Sequence, residues 1–361
     1  MQNEYGYHQI VMQPTPMCNL NCRYCYLPDR RSKHFMSPEL ASKVALDVAQ
    51  LGRPITIIWH GGEPLAVGHD RFRSLLEPFR VPALDGSIEH AVQTNATLID
   101  ARWCDIFREY SISVGVSLDG PDWANINRVD WAGNPSFSKA VNGIRLLQDA
   151  NIPFNVLVVV SDLAINNAGA LYHFFLDFGC KSIGINIEEI EGINHRSTLS
   201  NSTQVYGFWR ELFRVWRSAP HMRVREITNT IQWMKSVFEC ERLDSDPTII
   251  DLLPTIAWNG DLTLLSPELA GITSTNYGNF VVGNVLYSDL DEVVRGGISA
   301  RYVQDYVTGV GDCRNSCDYF SFCGGGHAGN KHAEYGTTNA TITLACQMSK
   351  KALVNAILES L

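Results

Sequence analysis

The chain has no basic excess, no long apolar run and no repeat. Its 29 Lys and Arg are outnumbered by 38 Asp and Glu, for a net charge of -9. No Lys/Arg-rich stripe interrupts that balance. Nucleic acid is therefore not expected as the main partner, because neutralising phosphates needs clustered cations. No apolar stretch approaches the ~20 residues that a bilayer helix requires. Met1 to Tyr7 are polar and aromatic, where a secretory signal would have a basic start and an apolar centre. No membrane partner is expected, and a cytoplasmic address is. With 45% hydrophobic residues in 361, the chain can bury a substantial core, enough for one large domain and a smaller one. Peptide or small-molecule substrates are favoured.

Cysteine, by contrast, is plentiful. Reducing compartments keep thiols free, so ten cysteines without an export signal point to metal binding rather than five disulfides. Cys104, Cys180 and Cys240 are isolated in or beside segments that read as helical or buried, and are assigned no chemistry. The other seven fall into two groups. Cys18, Cys22 and Cys25 form a C-x3-C-x-aromatic-C run with Tyr24 before its last member. Three thiolates hold three irons of a cubic cluster, which normally takes four cysteines, so one iron is left for an exogenous ligand. Taken alone, the trio also suits structural zinc with His34 as fourth ligand, or buried thiols. Cys313, Cys317, Cys323 and Cys346 supply four thiolates, enough to close a complete cluster. Zinc, helped by His327 and His332, is the alternative there.

Short β-branched runs alternate with amphipathic stretches. Strands are expected near His8-Gln13, Ile55-His60, Ile88-Gln93, Ser113-Leu118, Phe154-Val160 and Ile183-Ile187. Helices follow the first five, near Pro38-Gln50, Arg71-Phe79, Ala101-Tyr110, Ser136-Gln148 and Asn167-Phe178, with Ser37 and Asp100 as caps. The pattern implies an α/β fold with a parallel sheet covered by helices, and six units fit an open, partial barrel. Phe208, Trp209, Phe213, Trp216, Trp233 and Phe238 recur at helical spacing between Ser202 and Glu239, as in a core-facing helix pair that links two domains. Asn259-Gly260 marks a hairpin between Thr255-Trp258 and Leu262-Leu265.

Ligands of parallel α/β sheets collect at the carboxyl ends of the strands. The cysteine loop follows the first strand, Gly61-Gly62-Glu63-Pro64 the second, and Thr94-Asn95 the third. Ser117-Leu118-Asp119-Gly120-Pro121 ends the fourth, with Arg128 just beyond. Paired glycines permit close backbone approach, a glutamate accepts from an ammonium, and a guanidinium pairs with a carboxylate.

Over residues 8 to 190 the chain resembles the radical SAM superfamily. The resemblance implies a partial (β/α)6 barrel, a 4Fe-4S cluster on Cys18, Cys22 and Cys25, and S-adenosylmethionine (SAM) bound at the open iron. It implies SAM contacts from Tyr24, Gly61, Gly62, Glu63, Asn95, Ser117, Asp119 and Arg128. It also implies an electron donor such as flavodoxin or ferredoxin. The C-terminal cysteines resemble the SPASM extension of peptide-modifying radical SAM enzymes, which usually holds two auxiliary clusters. Here Leu264-Leu265-Ser266-Pro267-Glu268-Leu269 follows the hairpin without a cysteine, and His327 stands where another ligand of the first auxiliary cluster is expected. One auxiliary 4Fe-4S cluster is therefore inferred, on Cys313, Cys317, Cys323 and Cys346. The expected division is a barrel over 1-200, a helical linker over 201-250 and a SPASM-like domain over 251-361.

Gln13-Pro14-Thr15-Pro16, Ile187-Glu188-Glu189-Ile190-Glu191-Gly192 and Ser266-Pro267-Glu268-Leu269 resemble the cyclophane-forming maturases of the Grr/Osc type. That resemblance implies abstraction of a side-chain β-hydrogen from a ribosomally made precursor peptide and a carbon-carbon bond to an aromatic ring. Restoring aromaticity then removes one electron and one proton. The auxiliary cluster would accept the electron, and Glu188, Glu191 and Glu268 are the candidate bases. Few residues precede the first strand, so a leader peptide is expected to bind the barrel, the second domain or a separate protein. Thioether formation, epimerisation and formylglycine formation are the alternatives among enzymes. A non-catalytic iron-sulfur scaffold is the alternative from another class.

Overall fold

A computed structural model describes residues 4–84, 86–195, 197, 202–239 and 249–361. Cys240 lies outside the described residues. The strands are β1 (Glu4–Gly6), β2 (Gln9–Met12), β3 (Ile55–Trp59), β4 (Ile88–Thr94), β5 (Ser113–Ser117), β6 (Phe154–Val160), β7 (Ser182–Ile187), β8 (Arg223–Val224), β9 (Ile249–Asp251), β10 (Thr255–Ile256), β11 (Asp261–Thr263) and β12 (Gly283–Asn284). Helices α1 (Pro38–Gln50), α2 (His69–Leu76), α3 (Arg80–Leu84), α4 (Ala101–Glu109), α5 (Phe137–Asp149) and α6 (Ala168–Asp177) occupy the first half. The second half has α7 (Ser202–Ser218), α8 (Arg225–Phe238), α9 (Leu290–Gly297), α10 (Arg301–Ser316), α11 (Phe320–Cys323), α12 (Ala328–Tyr335), α13 (Leu344–Cys346) and α14 (Ala352–Leu358).

The expected alternation is the observed one, with boundaries shifted by a residue or two. Ser37 and Asp100 cap α1 and α4, each side chain accepting from a first-turn N–H. Such caps satisfy donors that a helix leaves unpaired. Strands β2 to β8 pair in parallel in chain order. Their alternate residues, such as Ile57, Val116 and Val158, are wholly buried. The sheet continues past the expected six strands. On its other edge β10 pairs in parallel with β2, and β11 and β12 follow antiparallel, so one ten-stranded sheet runs through both expected domains. The Asn259-Gly260 turn joins β10 to β11 as expected, with Gly260 at φ +88°.

The aromatic segment divides. Phe208, Trp209 and Phe213 are buried on α7, and Trp209 Nε1 donates to the Met348 carbonyl at 2.9 Å, tying α7 to the C-terminal turns. Phe238 is 78% exposed, contrary to its expected place in the core, because α8 ends there and the helical stripe is cut short. Cys104 and Cys180 are buried. Among the described residues no helix is long and apolar enough to cross a membrane.

Candidate functional site

A cavity of about 1200 Å³ opens over the carboxyl ends of the parallel strands. It exceeds the several hundred Å³ typical of a small-molecule pocket. Cys18, Cys22 and Cys25 line it, as do Tyr24, Gly62, Glu63, Asn95, Ser117 and Arg128.

The cysteine loop is braced from two sides. Residues 127–131 bind it through Asn21 N–H to the Val129 carbonyl (2.6 Å) and Arg23 N–H to the Asn127 carbonyl (3.0 Å). Trp131 Nε1 donates to the Cys18 carbonyl at 2.8 Å. On the other side, Glu63 N–H donates to the Met17 carbonyl at 2.8 Å. A Cβ on Gly62 would lie 2.5 Å from the Thr15 carbonyl oxygen and 2.6 Å from that of Met17. Only glycine allows this approach, and its φ of +64° points the same way. A Cβ on Gly61 would meet the Gln13 side chain at 3.0 Å, and its φ of +90° makes it a turn residue.

Glu63 is 1% exposed. Its carboxylate accepts from Leu65 N–H (3.1 Å), Thr94 Oγ1 (2.7 Å) and Asn95 N–H (2.8 Å). Those bonds stabilise the charge, yet burial outweighs them and pushes the carboxyl up to about 7. Asn95 also turns its amide to Asn19 Oδ1 at 2.9 Å and toward Cys18 Sγ at 3.9 Å. Ser117 accepts from Gln93 Nε2 at 2.8 Å.

Asp119, expected as a cofactor contact, does not line the cavity, and its carboxylate binds neighbouring residues. Oδ1 accepts from Arg128 Nε (3.0 Å), Arg128 Nη2 (2.9 Å) and Val159 N–H (3.0 Å), and Oδ2 accepts from the Tyr24 hydroxyl. Asp119 therefore orients Arg128 and Tyr24, which do face the cavity. The guanidinium keeps unspent donors for an anion.

Opposite the thiols lies an acidic group. Glu188, Glu191 and Glu268 all line the cavity, and Glu189 joins them. Asn330 Nδ2 on α12 donates to both Glu189 Oε2 (2.9 Å) and Glu191 Oε1 (3.0 Å). Ser349 donates to Glu189 Oε1 at 2.9 Å from the π-helical turn Gln347–Lys351. Ser266 donates to Glu268. Burial, then repulsion from Glu268 and Glu189, holds Glu191 well above the usual carboxylate range, and burial raises Glu268. Raised in this way, Glu191 and Glu268 hold their protons more tightly than an exposed carboxyl does. Tyr26 Oη and His60 Nε2 sit 2.8 Å apart in the same cavity, and burial lowers His60 to about 4, so the imidazole is neutral. The sequence signals for Glu189, Tyr26, His60, Asn330 and Ser349 were weak. Glu189 stood in the 187–192 run, Tyr26 directly follows Cys25 and His60 directly precedes Gly61-Gly62-Glu63-Pro64, while Asn330 and Ser349 lie in segments without a motif.

Cys313, Cys317, Cys323 and Cys346 line a second pocket together with Lys331. Among the described residues no three His, Cys, Asp or Glu converge as they would around a single ion. Each thiol set lines a pocket of its own, Cys18, Cys22 and Cys25 the large cavity and the other four the second pocket. None of the three histidines considered as zinc ligands lines the four-thiol pocket. His34 stacks on Trp258 with centroids 4.1 Å apart, and His332 packs on Phe280 at 4.9 Å. His327 lines the large cavity, where burial lowers it to about 4. Gly326, Thr343, Cys346 and Lys350 line both pockets, so the two share a wall.

The radical SAM superfamily model matches residues 12–175. An uncharacterized protein of Synechocystis sp. is 33% identical, over 98% of this chain and 92% of its own length. The serine-type anaerobic sulfatase-maturating enzyme of Klebsiella aerogenes is 34% identical over 58% of this chain and 54% of its own. In fold, the chain is similar to native anSMEcpe with bound AdoMet and Cp18Cys peptide. The TM-score is 0.78 at 19% identity, covering 98% of this chain and 97% of that one.

Proposed function

The chain belongs to the radical SAM superfamily, and from that premise we propose that it matures a ribosomally made peptide by joining a side-chain β-carbon to an aromatic ring carbon. SAM with a 4Fe-4S cluster, once reduced, supplies the radical that removes the β-hydrogen atom. In this reading Cys18, Cys22 and Cys25 hold that cluster. Glu63 accepts from the SAM ammonium and Arg128 donates to its carboxylate, in the orientation that Asp119 maintains. Cys313, Cys317, Cys323 and Cys346 hold one auxiliary cluster. Closing the ring bond and restoring aromaticity must remove one electron and one proton; a cluster on those four cysteines would supply the electron acceptor, and the group of Glu188, Glu189, Glu191 and Glu268 takes the proton. A precursor peptide is the partner, and a flavodoxin or ferredoxin the electron donor.

The observation that carries this is the shared wall. One cavity has the thiol trio, a proton-accepting carboxylate group and the face of the four-thiol pocket around it, as an oxidative modification of a bound side chain requires. The sulfatase-maturating relative favours a second reading of the same site, formylglycine formation.

The two readings separate on the product. Reconstituted enzyme with dithionite, SAM and a candidate precursor peptide should give 5′-deoxyadenosine and a peptide lighter by two hydrogens per crosslink. That peptide should resist fragmentation inside the ring and be inert to an aldehyde-trapping hydrazide. Deuterium at the reacting β-carbon should appear in 5′-deoxyadenosine. A hydrazide-reactive product would instead establish formylglycine, and label transfer from the α-carbon would point to epimerisation or an α-thioether.

A further inference from the structure

Lys331 is 1% exposed. Among the described residues its Nζ has no hydrogen-bond partner. Burying an ammonium without an acceptor is strongly unfavourable, and an apolar side chain of similar length would avoid the penalty. The position of the group suggests what balances it. Lys331 lines the pocket of Cys313, Cys317, Cys323 and Cys346, so thiolates at those positions would face its ammonium.

Its aim is also fixed. Lys331 sits on α12, with its N–H bound to the His327 carbonyl at 3.2 Å. The ammonium lies 4.9 Å from the centre of the Tyr306 ring. Tyr306 is itself anchored, its hydroxyl donating at 2.7 Å to the carbonyl of Gly326, which lines the same pocket. A ring face holds a cation in place without neutralising it, so the donors remain available to the pocket.

We propose that Lys331 is the built-in counter-cation and hydrogen-bond donor of the auxiliary cluster, and that it raises the reduction potential of that cluster. The inference rests on the proposed assignment of the four cysteines. A cubane on four thiolates is anionic and becomes more so on reduction. Net charge and hydrogen bonds to sulfur are among the determinants of its potential. A fixed cation stabilises the reduced form more than the oxidised one and makes the cluster a better acceptor for the electron that ring closure releases. Lys331 is thus a positioning residue, acting on the substrate only through the cluster.

The test is an EPR-monitored redox titration of the reconstituted full chain. Lys331→Met and Lys331→Gln should move the auxiliary signal to more negative potential, and Lys331→Arg should leave it near the wild-type value, all with about eight irons per chain. Wild-type potentials in all three, with iron intact, would overturn the inference. If Lys331→Met sheds the auxiliary irons, their retention in Lys331→Arg supports the role of the charge, and their loss there overturns it. The cluster assignment fails separately. A wild-type content near four irons would remove the auxiliary cluster itself, whereas two clusters with an unmoved potential would count against Lys331 alone.

Discussion

At the scale of single residues, burial and hydrogen bonding pull against each other, and at Glu63 burial wins. The carboxyl titrates at about 7 instead of the ordinary 4.5, although three donors hold it. Between those two values the native chain keeps a proton that the unfolded chain has released. The contribution of Glu63 to ligand-free stability is therefore fully present below pH 4.5, falls as pH rises and levels off above about 7. A bound ammonium favours the ionised form and reverses the balance. SAM binding near pH 6 is expected to release a proton from Glu63, and affinity should rise toward pH 7. Calorimetry in buffers of different ionisation enthalpy measures that proton. A wild-type-like proton release in Glu63→Gln would show that another group is responsible. Asp119 makes the complementary point. Four bonds tie its carboxylate to Arg128, Tyr24 and Val159, so it acts on its neighbours.

At the scale of elements, the cysteine loop has no regular structure of its own. It is held by the segments that follow β3, β4 and β5. The tightest of these contacts is at Gly62, where added atoms meet backbone that cannot swing aside. Gly62→Ala should displace the loop and remove about four irons while leaving the auxiliary set. Gly68→Ala is the control, since Gly68 also has positive φ, +83°, but open space around its Cβ. If both variants keep full iron and bind SAM alike, the close approach of Gly62 to the loop is not what holds the cluster. The acidic group is likewise assembled from separate elements. The end of β7 brings Glu188, Glu189 and Glu191, the turn Pro267–Leu269 brings Glu268, and α12 brings Asn330.

At the scale of the whole molecule, the sheet crosses from the first half of the chain to the second. Strand β10 covers the edge of β2, and α14 packs with α7. A fragment ending at Glu239 would bare that strand edge and the apolar face of α7. Each large side chain there contributes about 1.5–3 kcal/mol when buried, and an open edge invites aggregation. Size-exclusion chromatography should find this fragment aggregated, whereas a folded monomer would show a barrel that stands alone. The sequence by itself determined the alternation of strands and helices, the caps at Ser37 and Asp100, the hairpin at Asn259-Gly260 and the two thiol groups. These follow from local periodicity, turn chemistry and short spacing, which a linear chain displays directly. Only the tertiary structure decided that β10 joins the barrel edge, that Asp119 serves Arg128 and that Phe238 lies outside the core. It alone set Glu189 and Asn330 beside Glu191, and Lys331 against the four thiols. Those outcomes depend on contacts between residues far apart in the chain, 141 positions for Asn330 and Glu189, and on burial, which no local pattern encodes.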